Sequence, residues 1–368
     1  MKVKKPFDFW IFLTVLILLS LGIIMVFSAS APTAYNVNHD VYYILKKQLL
    51  SAAIGFVAMF ITINVDYRKL GKLSPFLLIA SIVLLILVLI PGIGGQTKGT
   101  WRWIDVGPLR FQPSEIAKLA IILFFSYSLS KRREQLQYFF KGLLPYLLLL
   151  GLFAGLILLE HHLSGTIIVL SVAVVILYCA GAKMRYFAIL ALPVIAGLAT
   201  VVAFTDYMKD RILSFLYPFE YIMDEGWQTV QSLYAIGSGG IFGRGLGWSI
   251  QKFMYLPEPH NDFIFSVLAE ELGFIGVVAV LTLFLIFIWR GIKVAMNAPD
   301  TFGSLTAIGI TSLIAIQSLF NVAVVTNSVP PTGVSLPFFS YGGTSLILFM
   351  FEVGILLNIS KYANYERI

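Results

Sequence analysis

The sequence predicts an all-α polytopic membrane protein with about ten transmembrane helices and one long extracytoplasmic loop, in a single integral membrane domain over residues 1–368. Apolar residues make up 58% of the chain and charged residues only 12%, which excludes an ordinary soluble composition. The apolar residues form repeated runs of about 20, the length that a spanning helix needs. The spans must be helical because unpaired backbone groups cannot face lipid.

The ten apolar runs are taken in chain order. They cover residues 8–28, 43–63, 73–91, 114–130, 142–159, 163–181, 185–204, 263–289, 302–326 and 343–360. The first follows lysines in the manner of a signal peptide, but its length predicts a retained first helix. Only Glu160, His161 and His162 separate the fifth run from the sixth, which predicts a tight helical hairpin.

The basic residues orient the helices. Most of the 26 Lys and Arg residues fall in short segments on one side if the N-terminus is cytoplasmic, as the positive-inside rule requires. This predicts cytoplasmic N- and C-termini, and it explains the net charge of +7 without nucleic-acid binding. The lone cysteine, Cys179, leaves no disulfide framework or cysteine-rich metal site.

The outer segment 91–113 is rich in glycine and aromatic residues and is too polar to span. Trp103 suits a membrane-interface anchor, but its neighbour Arg102 also suits a site for a sugar and a phosphate. The next helix carries Glu115 and Lys118 three residues apart, hence on one face, where they can form an ion pair. That pair is either structural or in contact with substrate.

The long outer loop, residues 205–261, contains two distinctive stretches. Residues 227–236 predict a short amphipathic helix on the outer membrane surface. Residues 238–247 hold five glycines and Arg244, so they predict either a phosphate cradle or a tight irregular turn. Lys252 adds another cation to this loop.

Asp262 stands where the loop enters the eighth apolar run. An acidic residue there either caps the helix or performs chemistry. His260 is a second candidate base or a hydrogen-bonding neighbour. Glu270 and Glu271 lie about 12 Å or more further along the helix at 1.5 Å per residue, so we expect them to form structural pairs or to line a cavity.

The outer segment 327–343 contains several prolines and glycines and cannot be a regular spanning helix. Irregular backbone at membrane depth is tolerated only where protein buries it or where it lines a cavity. We therefore expect this segment to close one wall of a site and to supply Thr332 and Ser340 as substrate-binding residues.

Four stretches together resemble the SEDS family of shape, elongation, division and sporulation proteins. They are, in chain order, RWIDVGPLRFQPSEIAKLA, GWQTVQSLYAIGSGGIFGRGLG, YLPEPHNDFIFSVLAEELGFIG and PPTGVSLPFFSYGGTS. The wording is closer to the FtsW and SpoVE branch than to RodA. One turn departs from the family: many members read Gln-Pro-Asp-Leu-Gly where this chain has residues 160–165, so a role tied to that Asp is in doubt here.

The resemblance implies an inverting peptidoglycan glycosyltransferase that polymerises lipid II, a polyprenyl-pyrophosphate-linked sugar, at the outer face of the cytoplasmic membrane. It implies a class B penicillin-binding protein, the crosslinking transpeptidase, as partner, with other division or sporulation membrane proteins. The family's essential acid falls on Asp262, its Glu and Lys pair on Glu115 and Lys118, and its loop tryptophan on Trp103.

Several chemical alternatives stay open at this stage. Asp262 acts either as a general base or as a ligand of a divalent cation, Mg²⁺ or Mn²⁺, that neutralises the pyrophosphate. Fixed cations would serve the same purpose. The candidates are Arg102, Lys118, Arg244 and Lys252. A lipid II flippase and a non-enzymatic division scaffold are the competing functions.

Overall fold

A computed structural model describes residues 6–92, 94–97, 100–106, 109–183, 185–187, 213–222 and 226–364. Ten α-helices are complete in these ranges. They are α1 (Phe9–Asn38), α2 (Tyr43–Asn64), α3 (Tyr67–Val88), α4 (Pro113–Arg132), α5 (Leu144–Leu159), α6 (Leu163–Cys179), α7 (Trp227–Gly239), α8 (Ile264–Met296), α9 (Thr301–Val325) and α10 (Gly343–Ser360). A 3₁₀-helix (Arg133–Gln137) and a π-helix (Phe139–Leu143) connect α4 to α5.

Seven helical segments of the described ranges are long and apolar enough to cross a membrane. They are Phe9–Asn38, Tyr43–Asn64, Tyr67–Val88, Phe139–Leu159, Ile264–Met296, Thr301–Val325 and Gly343–Ser360. The helix Leu163–Cys179 is apolar but shorter. The predicted seventh span, 185–204, falls almost wholly outside the described residues, as do residues 205–212 and 223–225 of the long loop. The prediction of a helical polytopic membrane protein is confirmed, and the count of ten spans stays a prediction.

The first helix is longer than its apolar run. It has 30 residues and is therefore about 45 Å long at 1.5 Å per residue, against about 30 Å for the hydrocarbon core. The helix therefore continues beyond the predicted span 8–28, through small and polar residues up to Asn38.

The all-α prediction omits a small antiparallel sheet in the segment between α3 and α4. Its strands are β1 (Gly94–Thr97), β2 (Thr100–Val106) and β3 (Leu109–Phe111), with β2 in the centre. Ile104 pairs with Gly94 on one side and Phe111 on the other. The sheet lies at the end of the bundle where α4, α8 and α10 begin, which we call the site end.

The predicted helix at 227–236 exists as α7, but it does not lie on the membrane surface. Its Ser232 hydroxyl is 2.7 Å from that of Ser266 on α8. Further along, a Cβ added to Gly239 would lie 2.0 Å from the carbonyl oxygen of Ala269. These contacts advance together along both helices, so α7 runs parallel to the first half of α8 and enters the bundle beside it.

The glycine-rich stretch after α7 packs against a break in α8. Gly273 has a φ of 67°, in the region that favours glycine, and this interrupts the helical hydrogen bonds. The carbonyls of Glu270 and Glu271 instead accept the backbone N–H groups of Arg244 (2.9 Å) and Gly245 (3.0 Å). These N–H groups are thereby engaged, so the geometry favours the tight turn over the phosphate cradle. We call residues 240–251 the re-entrant segment.

Candidate functional site

Asp262 lies at the site end, immediately before α8. The helix begins at Ile264 and its N-cap position is Phe263, so Asp262 does not occupy the capping position that the sequence allowed. Its backbone carbonyl accepts a 2.8 Å hydrogen bond from Asn321 Nδ2 on α9. A Cβ added to Gly333 would lie 2.9 Å from Asp262 Oδ2. The backbone of the loop between α9 and α10 therefore lies directly against this carboxylate.

That loop, residues 326–342, is fastened by side chains from two helices. Ser164 at the start of α6 donates to the carbonyl of Gly333 (2.7 Å). On α9, Gln317 Nε2 donates to the carbonyl of Ser335 (3.0 Å), and Asn321 Nδ2 to that of Val334 (2.6 Å). The loop that faces Asp262 is thus positioned from several directions, while its role as one wall of a substrate site stays a prediction.

The two loop residues predicted to bind substrate differ in their surroundings. Ser340 is buried, accepts the N–H of Leu336 and donates to the carbonyl of Asn261, each at 2.7 Å, so its hydroxyl ties the loop together. The hydroxyl oxygen of Thr332, next to Gly333, has no hydrogen-bond partner in the described part of the chain. Of the two, Thr332 is the one with an uncommitted polar group.

Glu115 and Lys118 form the predicted ion pair, 2.7 Å apart and almost fully buried at 6% and 4% exposure. Lys118 Nζ also donates to Gln317 Oε1 at 3.1 Å. Because the amide of Gln317 also holds the carbonyl of Ser335, the buried pair is connected through one side chain to the loop that faces Asp262. Such a pair survives burial only when further hydrogen bonds satisfy it.

The turn between α5 and α6 approaches the same region. His162 Nδ1 lies 3.3 Å from both Gln112 Nε2 and Ser114 Oγ. Burial, with the positive charges of Arg102 and Lys118, lowers the pKa of His162 to about 3. His162 is therefore neutral at physiological pH.

Glu160 is the buried acid of this turn. It is completely inaccessible, and neither carboxylate oxygen has a hydrogen-bond partner within the described ranges. Burial raises its pKa to about 8, against the opposing effect of Arg102. The turn in which this chain departs from the family's usual sequence therefore buries a carboxyl group that is mostly protonated at neutral pH.

Arg102 and Trp103 are neighbours on β2, so their side chains leave opposite faces of the sheet. Arg102 donates to the carbonyls of Glu160 (3.3 Å) and His161, which fastens the sheet to the α5–α6 turn. Trp103 is partly exposed, and the guanidinium of Arg110 lies 5.3 Å from its ring centroid. Trp103 therefore presents an aromatic surface at the site end.

Arg244 and Lys252 lie deeper, beside the acidic pair of α8. Lys252 is 3% exposed and its ammonium contacts Glu271 at 2.8 Å. Arg244 lies 3.6 Å from Glu270, whose carboxylate also accepts the hydroxyl of Ser249 at 2.5 Å. Glu270 and Glu271 thus form the predicted pairs, and their partners, Arg244 and Lys252, are two of the four candidate pyrophosphate cations.

His260 is buried close to Asp262 in the chain. Its backbone carbonyl accepts the N–H of Tyr341 at 2.9 Å, and the two ring centroids are 5.8 Å apart. Burial raises the pKa of Tyr341. His260 thus joins the end of α7's connecting loop to the loop 326–342.

Asp262 offers carboxylate oxygens, which suit Mg²⁺ or Mn²⁺. Within the described residues, no group of three or more His, Cys, Asp or Glu side chains could hold a metal ion. A cation bound at Asp262 would therefore take its remaining ligands from water, from phosphate oxygens of a substrate, or from neutral oxygens of the protein such as backbone carbonyls.

Sequence reasoning did not identify four residues that organise this site: His162, Ser164, Gln317 and Gly333. The sequence around each of these residues does not indicate that it belongs to the site, because each acts through a contact with a residue far away along the chain. Glu352 on α10 is also buried, and its Oε2 has no hydrogen-bond partner in the part of the chain described.

Known proteins were compared with this chain. A family model described as cell cycle protein, covering FtsW, RodA and SpoVE, matches residues 9–365. A relative from a Geobacter species, named probable peptidoglycan glycosyltransferase FtsW, is 43% identical over 360 residues, covering 98% of each chain. Stage V sporulation protein E of Bacillus subtilis is 44% identical over 362 residues, covering 98% of this chain and 99% of the relative.

Solved structures agree with the sequence comparison. A chain from a peptidoglycan synthase complex, described as coordinating polymerization and crosslinking, superposes with a TM-score of 0.80 at 28% identity, covering 97% of this chain and 99% of that one. The rod shape determining protein RodA of Thermus thermophilus superposes with a TM-score of 0.71 at 29% identity, covering 97% and 98%. The match over nearly the whole length shows that this chain belongs to the cell cycle protein family of FtsW, RodA and SpoVE.

Proposed function

We propose that this protein is a peptidoglycan glycosyltransferase that polymerises lipid II into glycan strands in cell division or sporulation. The observation that carries the proposal is the carboxylate of Asp262 held against Gly333, where the start of α8 meets the loop fastened by α6 and α9. The names of the full-length relatives support the same activity.

In this mechanism Asp262 acts as the general base. It accepts the proton of the acceptor sugar hydroxyl while the hydroxyl oxygen forms a bond to the anomeric carbon of the donor. The bond between that carbon and the pyrophosphate oxygen breaks, the configuration inverts, and the polyprenyl pyrophosphate leaves. Alternatively, the carboxylate of Asp262 would bind a divalent cation, Mg²⁺ or Mn²⁺.

The remaining residues position the substrate. Arg102 and Lys118 are the proposed pyrophosphate cations because both are connected to the site end, Arg102 through the α5–α6 turn and Lys118 through Gln317. Arg244 and Lys252 lie further along α8, beside Glu270 and Glu271. Trp103 offers an aromatic face for a sugar ring. The hydroxyl of Thr332, beside Gly333, and His260 complete the proposed substrate contacts.

We place the site end at the outer face of the cytoplasmic membrane, with both termini in the cytoplasm. Basic side chains at the opposite end of the bundle support this orientation, since cytoplasmic segments are enriched in Lys and Arg. They include Arg68, Lys131, Arg132, Arg133, Lys141, Arg290 and Lys293. The proposed partner is a class B penicillin-binding protein, because one similar structure belongs to a complex described as coordinating polymerization and crosslinking.

The test is a reconstituted polymerisation assay with labelled lipid II and a partner transpeptidase. Asp262→Asn keeps the side-chain shape but cannot accept a proton, so we expect a rate lower by roughly 10²- to 10⁴-fold. The control is Asp40→Asn, which changes a partly exposed carboxylate at the same end of the bundle that pairs with Lys46. Equal thermal unfolding of both variants verifies the fold.

The outcomes separate the candidate functions. If Asp262→Asn polymerises lipid II at the wild-type rate, the base mechanism is disproved. In a second experiment a chelator is added first, and Mg²⁺ or Mn²⁺ is then restored. If the metal restores activity to wild type but not to Asp262→Asn, the carboxylate is a metal ligand. If wild type makes no strands yet moves lipid II across liposomes, the protein is a flippase. The buried ionisable residues Glu115, Lys118 and Glu352 would suit that function.

A further inference from the structure

A cavity of about 310 Å³ opens at the end of the bundle opposite Asp262. Its walls come from α3, α4, α5 and the 3₁₀- and π-helical connection between α4 and α5. Arg132, Gln135 and Lys141 form its polar part, and Leu78, Phe124 and Leu149 form its apolar part. It does not include any residue of the proposed active site.

The two parts of the cavity lie at different depths. Arg132 is the last residue of α4, and Phe124 lies eight residues earlier, about 12 Å away along the axis at 1.5 Å per residue. Leu149 lies eight residues beyond Lys141 in the next helical segment. The cavity therefore has a cationic rim at the end of the bundle and an apolar wall that extends from the rim between the helices.

The two cations on the rim are uncompensated. Their neighbours are engaged: Lys131 Nζ contacts the hydroxyl of Tyr127 at 2.6 Å, and Arg133 Nε donates to the carbonyl of Ala180 at 3.0 Å. By contrast, the side chains of Arg132 and Lys141 have no ion-pair or hydrogen-bond partner in the described ranges. The C-terminus of α4 favours a cation such as Arg132. Lys141 belongs to the following segment, so the dipole of α4 does not explain why a basic residue stands there.

The cavity is built into the helical hairpin. The Ser128 and Tyr146 hydroxyls, 2.7 Å apart, join α4 to α5 along its wall. A Cβ added to Gly142 would lie 1.9 Å from the carbonyl oxygen of Gln135, so the backbone at the rim closes on itself. A π-helical turn such as this one is uncommon and is frequent at functional sites.

We propose that this cavity binds one anionic phospholipid, with its phosphate between Arg132 and Lys141 and an acyl chain along Leu78, Phe124 and Leu149. Basic pockets between membrane helices bind acidic lipid headgroups in this manner. Exposed aromatic side chains flank the rim, Tyr138 at 68% and Phe140 at 77%, as at a membrane interface. Assignment to the cytoplasmic leaflet follows from the orientation proposed above.

Native mass spectrometry of the detergent-purified chain tests the proposal. The probes are phosphatidylglycerol and phosphatidylethanolamine with the same acyl chains, together with soluble glycerol phosphate. Each basic residue near a charged lipid surface contributes about fivefold to binding, so Arg132→Gln/Lys141→Gln should bind phosphatidylglycerol about 30-fold more weakly. Lys69→Gln/Lys293→Gln removes the same charge at the same end, away from the cavity, and should retain the affinity.

A second variant tests the apolar wall without changing charge. Leu78→Trp should fill the cavity and weaken phosphatidylglycerol binding with both cations in place. The proposal would be overturned if Arg132→Gln/Lys141→Gln still preferred phosphatidylglycerol to phosphatidylethanolamine as wild type does. It would also be overturned if Lys69→Gln/Lys293→Gln lost as much affinity for phosphatidylglycerol as that variant. Displacement of the lipid by glycerol phosphate at the same concentration would also overturn it, because the site would then recognise soluble phosphate.

Discussion

Removing the ammonium of Lys252 tests whether this cation serves the fold or the substrate. Lys252→Met keeps the length of the side chain. Among the described residues, it leaves the buried carboxylate of Glu271 with the hydroxyl of Ser28 and the N–H of Ser249 as its remaining partners. Breaking a buried pair from one side costs about 3–5 kcal/mol of unfolding free energy. We expect a loss of that size, with the substrate KM unchanged in the molecules that remain folded.

A double-mutant cycle measures the pair itself. Glu271→Gln alone leaves the ammonium of Lys252 buried without its carboxylate and should destabilise by a similar amount, again about 3–5 kcal/mol. The double variant should be far less unstable than the sum, since neither charge is left alone. The assay is reversible unfolding in mixed micelles, followed by tryptophan fluorescence. Additive losses, or a stable Lys252→Met protein with a raised KM for lipid II, would refute the structural role.

Three further predictions concern the site end. Gly333→Ala should displace the Asp262 carboxylate and lower the polymerisation rate by about 10²-fold at unchanged unfolding temperature; a normal rate would contradict their close approach. Gln317→Leu removes the amide between the buried ion pair and the loop, so kcat should fall in the reconstituted assay, and an unaltered kcat would contradict the link. The pKa of Glu160, raised from 4.5 to about 8, means that the folded state binds this proton more tightly. The free energy of unfolding should therefore fall as pH rises from 6.5 to 8. If it fell equally steeply with pH in Glu160→Gln, this prediction would be contradicted.

The sequence was sufficient wherever one local pattern determined the outcome. Apolar runs identified most spanning helices, and the three-residue spacing of Glu115 and Lys118 predicted their ion pair. The three residues between α5 and α6 predicted the hairpin. Each of these features depends on neighbours within one or two helical turns, and helical periodicity determines those neighbours.

The features that the sequence did not reveal depend on distant contacts. The amphipathic pattern of α7 is compatible with a membrane surface or with a protein groove, and only the contact of Ser232 with Ser266 decides between them. The short strands of the segment 91–113 lack a clear alternation, so the sheet went unpredicted. Lys252 carries no local sign of its partner Glu271, which lies nineteen residues later.

The same principle applies to the site. Asp262 entered through family resemblance together with its place before an apolar helix. Gly333 is one of several glycines in an irregular loop, and nothing in its neighbours indicates that its Cα faces a carboxylate. The requirement for glycine there arises from a chain segment about 70 residues away, which a single sequence does not show.

The break at Gly273 has a consequence for the order in which this region folds during synthesis. The re-entrant segment takes part of its backbone pairing from α8, because the carbonyls of Glu270 and Glu271 accept the N–H groups of Arg244 and Gly245. Unpaired backbone is excluded from hydrocarbon, and the segment is translated before α8. These N–H groups therefore lack their partners in α8 until α8 has been synthesised, so the final packing of the segment depends on a helix that comes later in the chain.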